Sequence, residues 1–128
     1  MKTRRDLIYA DECYQILGLV FKVSKELGFG HKEIYYQKAL AKEFQDNELK
    51  FKEQLQCKLK YKEKDLGIYI LDFLVFDKII IEIKQKKIIL SKDIDQLYKY
   101  LRATKLKLGL IITFSKEGAR FKRVVNLK

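Results

Sequence analysis

From Asp6 to Leu27 apolar residues recur every three to four positions, at Leu7, Ala10, Cys13, Leu17, Val20 and Leu27. That spacing predicts a long amphipathic helix. Gly28-Phe29-Gly30 follows as a stop and a tight joint. A second helix is expected over 31–46, with Ile34, Leu40 and Phe44 on its apolar side and Gln45-Asp46-Asn47 as its exit. From Leu49 the period drops to two. Phe51, Leu55, Cys57, Leu59 and Tyr61 are separated by polar residues, mostly Lys, as in a strand with one wet face. Lys62 to Gly67 reads as a turn. Strands are expected over 67–76 and 78–84, the second extendable to Leu90. Ser91 is the expected N-cap of a third helix reaching Ala103, with Asp93 and Asp95 in its first turn, where negative charge suits the helix dipole. Leu108 to Phe114 is continuously apolar, as in a strand buried on both faces, and Phe121 to Val125 forms a last edge strand.

The order of helix, helix, three strands, helix and returning strands predicts an α/β chain of the mixed-sheet α+β kind, with helices on the sheet faces. Residues 1–128 are expected to form one domain. A hydrophobic content of 48% is enough for a core. No apolar run approaches the ~18–20 residues of a membrane span. Met1-Lys2-Thr3-Arg4-Arg5 leads into no apolar leader segment, so a cytoplasmic protein is expected. The formal charge of +11 suits a polyanionic partner, most simply nucleic acid, although a general bias toward Lys would produce the same excess. Cys13 and Cys57 are far apart without a CxxC pattern and read as free thiols, and His31 is the sole histidine. A zinc site of His and Cys is thereby nearly excluded. Any metal would be a hard ion such as Mg²⁺ or Mn²⁺ on carboxylate oxygens.

The candidate chemistry lies between Asp72 and Lys84, which reads as a hairpin. Asp72, Glu82 and Lys84 sit in one of the most apolar parts of the chain, where charge is costly unless paired or bound to a metal. The interval from Asp72 to Glu82 is even. A loop of odd length centred on Asp77 would set the two carboxylates opposite each other, with Lys84 on the same face. Leu71, Phe73 and Val75 would then pack with Ile79, Ile81 and Ile83 on the other face. A two-residue turn would separate the carboxylates. Facing acids repel and desolvate each other and become tolerable with a divalent cation between them. The plain alternative is a charged outward strand face.

Asp72 followed by Glu82-Ile83-Lys84 resembles the acid, acid-X-lysine signature of the PD-(D/E)XK nuclease superfamily, with Leu71 in place of its proline. Gly30, Glu33 and Tyr36 are similar to the GxxExxY signature of one family within it, and Gln96 with Tyr100 resembles the QxxxY element of RecB-type relatives. The likeness extends over nearly the whole chain. It implies a restriction-endonuclease-like αβββαβ core with an extra N-terminal helix, and a metal-dependent phosphodiesterase acting on nucleic acid, with DNA ranked ahead of RNA. It implies Asp72, Glu82 and Glu33 as metal ligands, Glu33, Asp72, Glu82 and Lys84 as catalytic residues, and Gln96 and Tyr100 as substrate-positioning residues. Gly28, Gly30 and Tyr36 belong to the structural motif, Tyr36 as a packing residue. The other readings are an inactive nucleic-acid-binding domain, and an accessory module that works as a homodimer or beside a protein partner.

Overall fold

The computed structural model describes residues 7–127. The basic run Met1 to Arg5 and the expected helix start at Asp6 lie outside the described residues. Helix α1 spans Ala10–Leu27 and buries Cys13, Ile16, Val20 and Val23 as one stripe. It begins at Ala10 because Tyr9 takes a left-handed backbone (φ 56°), which a helix cannot continue through. Helix α2 spans Glu33–Asp46 and buries Tyr36, Gln37, Leu40 and Phe44. Ile34, expected on the apolar side, is exposed. It lies six residues before Leu40, about 120° round the helix at 3.6 residues per turn.

Strands β1 (Phe51–Tyr61), β2 (Lys64–Val75) and β3 (Ile79–Lys84) form a meander. Helix α3 (Ser91–Thr104) then crosses over to β4 (Leu108–Ser115), which pairs parallel to β3. Strand β5 (Gly118–Val125) turns back antiparallel at the edge. The sheet order is β1-β2-β3-β4-β5. Among the described residues, three helices on a five-stranded mixed sheet make an α+β fold, with the αβββαβ order expected from the sequence after an extra first helix.

Several boundaries move for local reasons. The turn expected over 62–67 shrinks to Lys62-Glu63, both left-handed (φ 50° and 67°), as in the tight hairpin turns whose twist matches the strands. Leu66 is the extra residue at the register shift beyond it. Strand β3 stops at Lys84 and does not run on to Leu90. Ser91 is the first helical residue and Leu90 the N-cap; the Asp93 carboxylate reaches back to accept the Leu90 N–H (2.9 Å).

Two cores sandwich the sheet. On one face α1 and α2 cover Phe73, Val75, Ile79, Ile81, Leu110 and Ile112. On the other, α3 brings Leu97, Tyr100 and Leu101 onto Leu71, Ile80 and Ile111. Helix α3 sits close because Gly109 lacks a side chain; a Cβ there would lie 2.7 Å from Leu97 Cδ2.

Candidate active site

The hairpin of β2 and β3 has the register that the spacing of its charges required. Phe73 pairs with Ile81, Leu74 with Ile80 and Val75 with Ile79, around the three-residue loop Phe76-Asp77-Lys78. Phe76 and Asp77 take the left-handed backbone (φ 58° and 57°) that closes it. Extended by one step, this register sets Asp72 opposite Glu82. The ladder ends before that step, and the two strands splay.

The splay begins at Gln54. It lies across from Asp72 on β1, yet that pair is missing between Glu53–Phe73 and Leu55–Leu71, and Gln54 has φ 50°. Its amide donates to Oε1 of Gln37 (2.9 Å), a buried residue of α2. Gln37 in turn lies 3.4 Å from Glu53. With the ladder interrupted, the Asp72 side chain takes a strand's place: its Oδ2 accepts the Ile83 N–H at 2.7 Å. The interruption also corrects one sequence expectation. Leu71 does not share a face with Phe73 and Val75; it turns into the α3-side core beside Ile80.

Both faces of the sheet can reach into this gap. From the α2 side, Glu33 Oε1 accepts the Gln85 N–H at 2.6 Å, which fastens the N-terminus of α2 to the end of β3. From the α3 side comes Tyr100, buried and tilted against Tyr69 with ring centres 4.2 Å apart. Lys84 is half-buried. Glu82 is only 7% exposed, and its Oε1 has no hydrogen-bond partner among the described residues. Such an atom is expensive in a protein interior.

The electrostatics follow from this crowding. Burial, then the negative charge of Asp72, push the Glu82 carboxyl up to about 8; Lys84 and the Asp72 N–H pull the other way, and Glu33 adds to the rise. Burial also raises Asp72, against the pull of the Ile83 N–H and Lys84. The Tyr100 phenol is raised by burial and by the charge of Glu82. Glu33, Asp72, Glu82, Lys84 and Tyr100 therefore form one electrostatic unit. Gln96 does not join it: it is exposed on α3, in an outer cleft with Lys86, Lys92 and Lys99.

Gly28, Gly30 and Tyr36 build the joint between α1 and α2. The Tyr36 hydroxyl donates to the Gly28 carbonyl at 2.6 Å, and its ring stacks on Phe114 at 4.1 Å. Gly28 and Gly30 hold φ of 81° and 94°, which their lack of a Cβ makes inexpensive. The joint delivers Glu33 to Gln85. Two features escaped the sequence reading. One is the Gln37–Gln54 bond that supports the splay. The other is the ion pair of Lys86 with buried Asp93 (2.9 Å) near the site mouth. Burial pushes Asp93 up, but Lys86 and the Leu90 N–H outweigh it and hold the acid low. Neither Lys86 nor Gln37 stands out by periodicity. Asp93 was visible only as an acid at a helix start.

The donor chemistry fits a hard divalent cation: two neighbouring carboxylates, one with an orphaned oxygen, and no soft ligand. Among the described residues no group of three or more His, Cys, Asp or Glu is arranged to hold a metal ion. Glu33 is turned instead to the Gln85 amide. No described helix is long and apolar enough to cross a membrane.

Comparison with known proteins bears on the fold and the family. No curated protein matches the sequence. The solved structure of SSO0001 is similar in fold, with a TM-score of 0.56 at 18% identity; the match covers 95% of this chain and 61% of that one. A model of the PD-(D/E)XK nuclease superfamily matches residues 10–124. A buried carboxylate with one oxygen unsatisfied among the described residues, its acidic neighbour and a lysine two residues on, set in an αβββαβ frame, are consistent with that match: the chain belongs to the PD-(D/E)XK nuclease superfamily.

Proposed function

We propose that the chain is a single-domain, metal-dependent phosphodiesterase acting on nucleic acid, with DNA ahead of RNA as substrate. The observation that carries this reading is Glu82: a buried carboxylate beside a second one, with an oxygen that none of the described residues satisfies. A fold has little reason to keep such a group unless a ligand completes it. PD-(D/E)XK nucleases generally use divalent metal ions, and Mg²⁺ or Mn²⁺ suits all-oxygen donors. Asp72 and Glu82 would hold the ion, together with the backbone carbonyl of Ile83, the residue after Glu82. Bound there, it would offset phosphate charge and acidify a water.

The remaining roles belong to the chain itself. The Ile83 N–H fixes the orientation of Asp72. Lys84, on the same strand face as Glu82, can orient or deprotonate the attacking water, or stabilise charge on the phosphate in the transition state. Glu33 is the third acid, held at the pocket edge by Gln85. Tyr100 bounds the pocket on the α3 side, and Gln96 would meet substrate further out. The basic surface would gather the polyanion. Gly30, Glu33 and Tyr36 support placing the chain in the GxxExxY group, because each has a distinct structural task in the joint.

The test is incubation of the protein with mixed single- and double-stranded DNA and RNA, with Mn²⁺ and with EDTA. Cleavage is expected with the metal alone, and both Asp72→Ala and Lys84→Ala should abolish it while far-UV circular dichroism is retained. Activity undiminished in both variants would rule the site out. Salt-sensitive binding with no cleavage under any condition would favour a non-catalytic binding domain.

A further inference from the structure

A second feature adjoins the site. A cleft of about 300 Å³ opens beyond the carboxyl ends of the parallel strands β3 and β4, against the α1–α2 joint. Crevices at this position in open sheets are where ligands commonly bind. Gln85, whose N–H is held by Glu33, is shared between the cleft and the site. Phe114 lines the cleft, stacked on Tyr36. Phe29 stands on its wall and is 58% exposed. An aromatic ring left in water on a loop gains nothing for the fold.

The loop is nonetheless held firmly. The Tyr36 hydroxyl clamps Gly28, and the His31 ring lies 3.1 Å from the Leu27 carbonyl. His31 also meets exposed Tyr35 edge-on, with ring centres 6.5 Å apart. The rim is basic: Lys87 and Lys116 are both exposed. Lys87 touches Glu117 at 3.9 Å, a solvent-exposed pair that a phosphate could replace at little cost. An exposed aromatic ring next to a pinned backbone, a cationic rim and a cavity beside the reacting centre are the components of a single-strand platform.

We propose that this cleft holds an unpaired nucleobase of the substrate strand, stacked on Phe29, with flanking phosphates on Lys87 and Lys116. The inference rests on the phosphodiesterase reading and narrows it to single-stranded or frayed nucleic acid. A paired base cannot offer its face to a ring inside a cleft, so a blunt duplex would engage only the basic surface.

The chain contains no Trp, so Phe29→Trp creates a single fluorescent reporter at the platform. Binding is measured in EDTA, by emission of Phe29→Trp and by anisotropy of labelled 12-nucleotide oligothymidine, oligouridine and a blunt duplex. Either single strand should quench the tryptophan, and the duplex should not. Phe29→Ala should weaken single-strand binding about tenfold or more, with duplex binding changed less than about twofold. An unquenched tryptophan, or equal losses for single strand and duplex, would overturn the proposal. Because no turnover is involved, this result stands apart from the metal-dependent cleavage assay.

Discussion

Replacing Glu82 by Gln should make the metal-free protein more stable, at the expense of its function. In the folded chain the carboxyl is raised from 4.5 to about 8, first by burial and then by Asp72. The neutral form is therefore the one the fold prefers. Stability associated with it is fully present below pH 4.5 and is lost progressively as the pH rises to about 8. At 1.36 kcal/mol per pH unit, that interval has a ceiling of about 5 kcal/mol. Charge sharing with Asp72 and local relaxation reduce it, because even buried sites respond with an effective dielectric constant near 20. About 2 kcal/mol is expected at pH 8.5. Gln has the same shape, no charge, and an amide that Asp72 can accept from. Urea unfolding in EDTA, followed by far-UV circular dichroism at pH 4.5, 6.5 and 8.5, should show a Glu82→Gln advantage that is near zero at the lowest pH and grows upward. Comparing the two proteins at each pH cancels the other titrating groups. A variant no more stable than the native chain at pH 8.5, or one with the same advantage at pH 4.5, would refute the reasoning.

Two further outcomes test the frame around the site. Tyr36→Phe removes the hydroxyl that clamps Gly28 but keeps the ring on Phe114, so urea unfolding should show a loss of about 1 kcal/mol. Gly109→Ala would place a Cβ 2.7 Å from Leu97 Cδ2 under α3, which should cost about 1–3 kcal/mol by the same assay, and adding Leu97→Val should recover part of it.

The sequence was most informative where periodicity and spacing speak directly. The continuous apolar run of β4 became a strand buried on both faces. The even interval from Asp72 to Glu82 required the odd loop that Phe76-Asp77-Lys78 supplies. What it did not reveal depends on contacts between distant segments. Leu71 changes face because Gln54, drawn by Gln37 from α2, breaks the ladder across from Asp72. No local pattern around Leu71 encodes that. Ile34 was assigned inward by its apolarity alone, whereas its angle on the helix leaves it outside. The Gln85 N–H that Glu33 accepts lies 52 residues away and meets it only where β3 ends beneath α2. The charged residues of the candidate site could be named together from the sequence; the splay between their strands could not.

The central claim is that Asp72 and Glu82 together form a divalent-cation site. Calorimetric titration of Mn²⁺ at pH 6.5, repeated in buffers of different ionisation enthalpy, tests it most directly. Glu82 is mainly protonated at that pH, so one Mn²⁺ should bind with release of roughly one proton. Both the binding and the proton release should disappear in Asp72→Ala. No binding by the native chain, or the same binding in Asp72→Ala, would contradict the account.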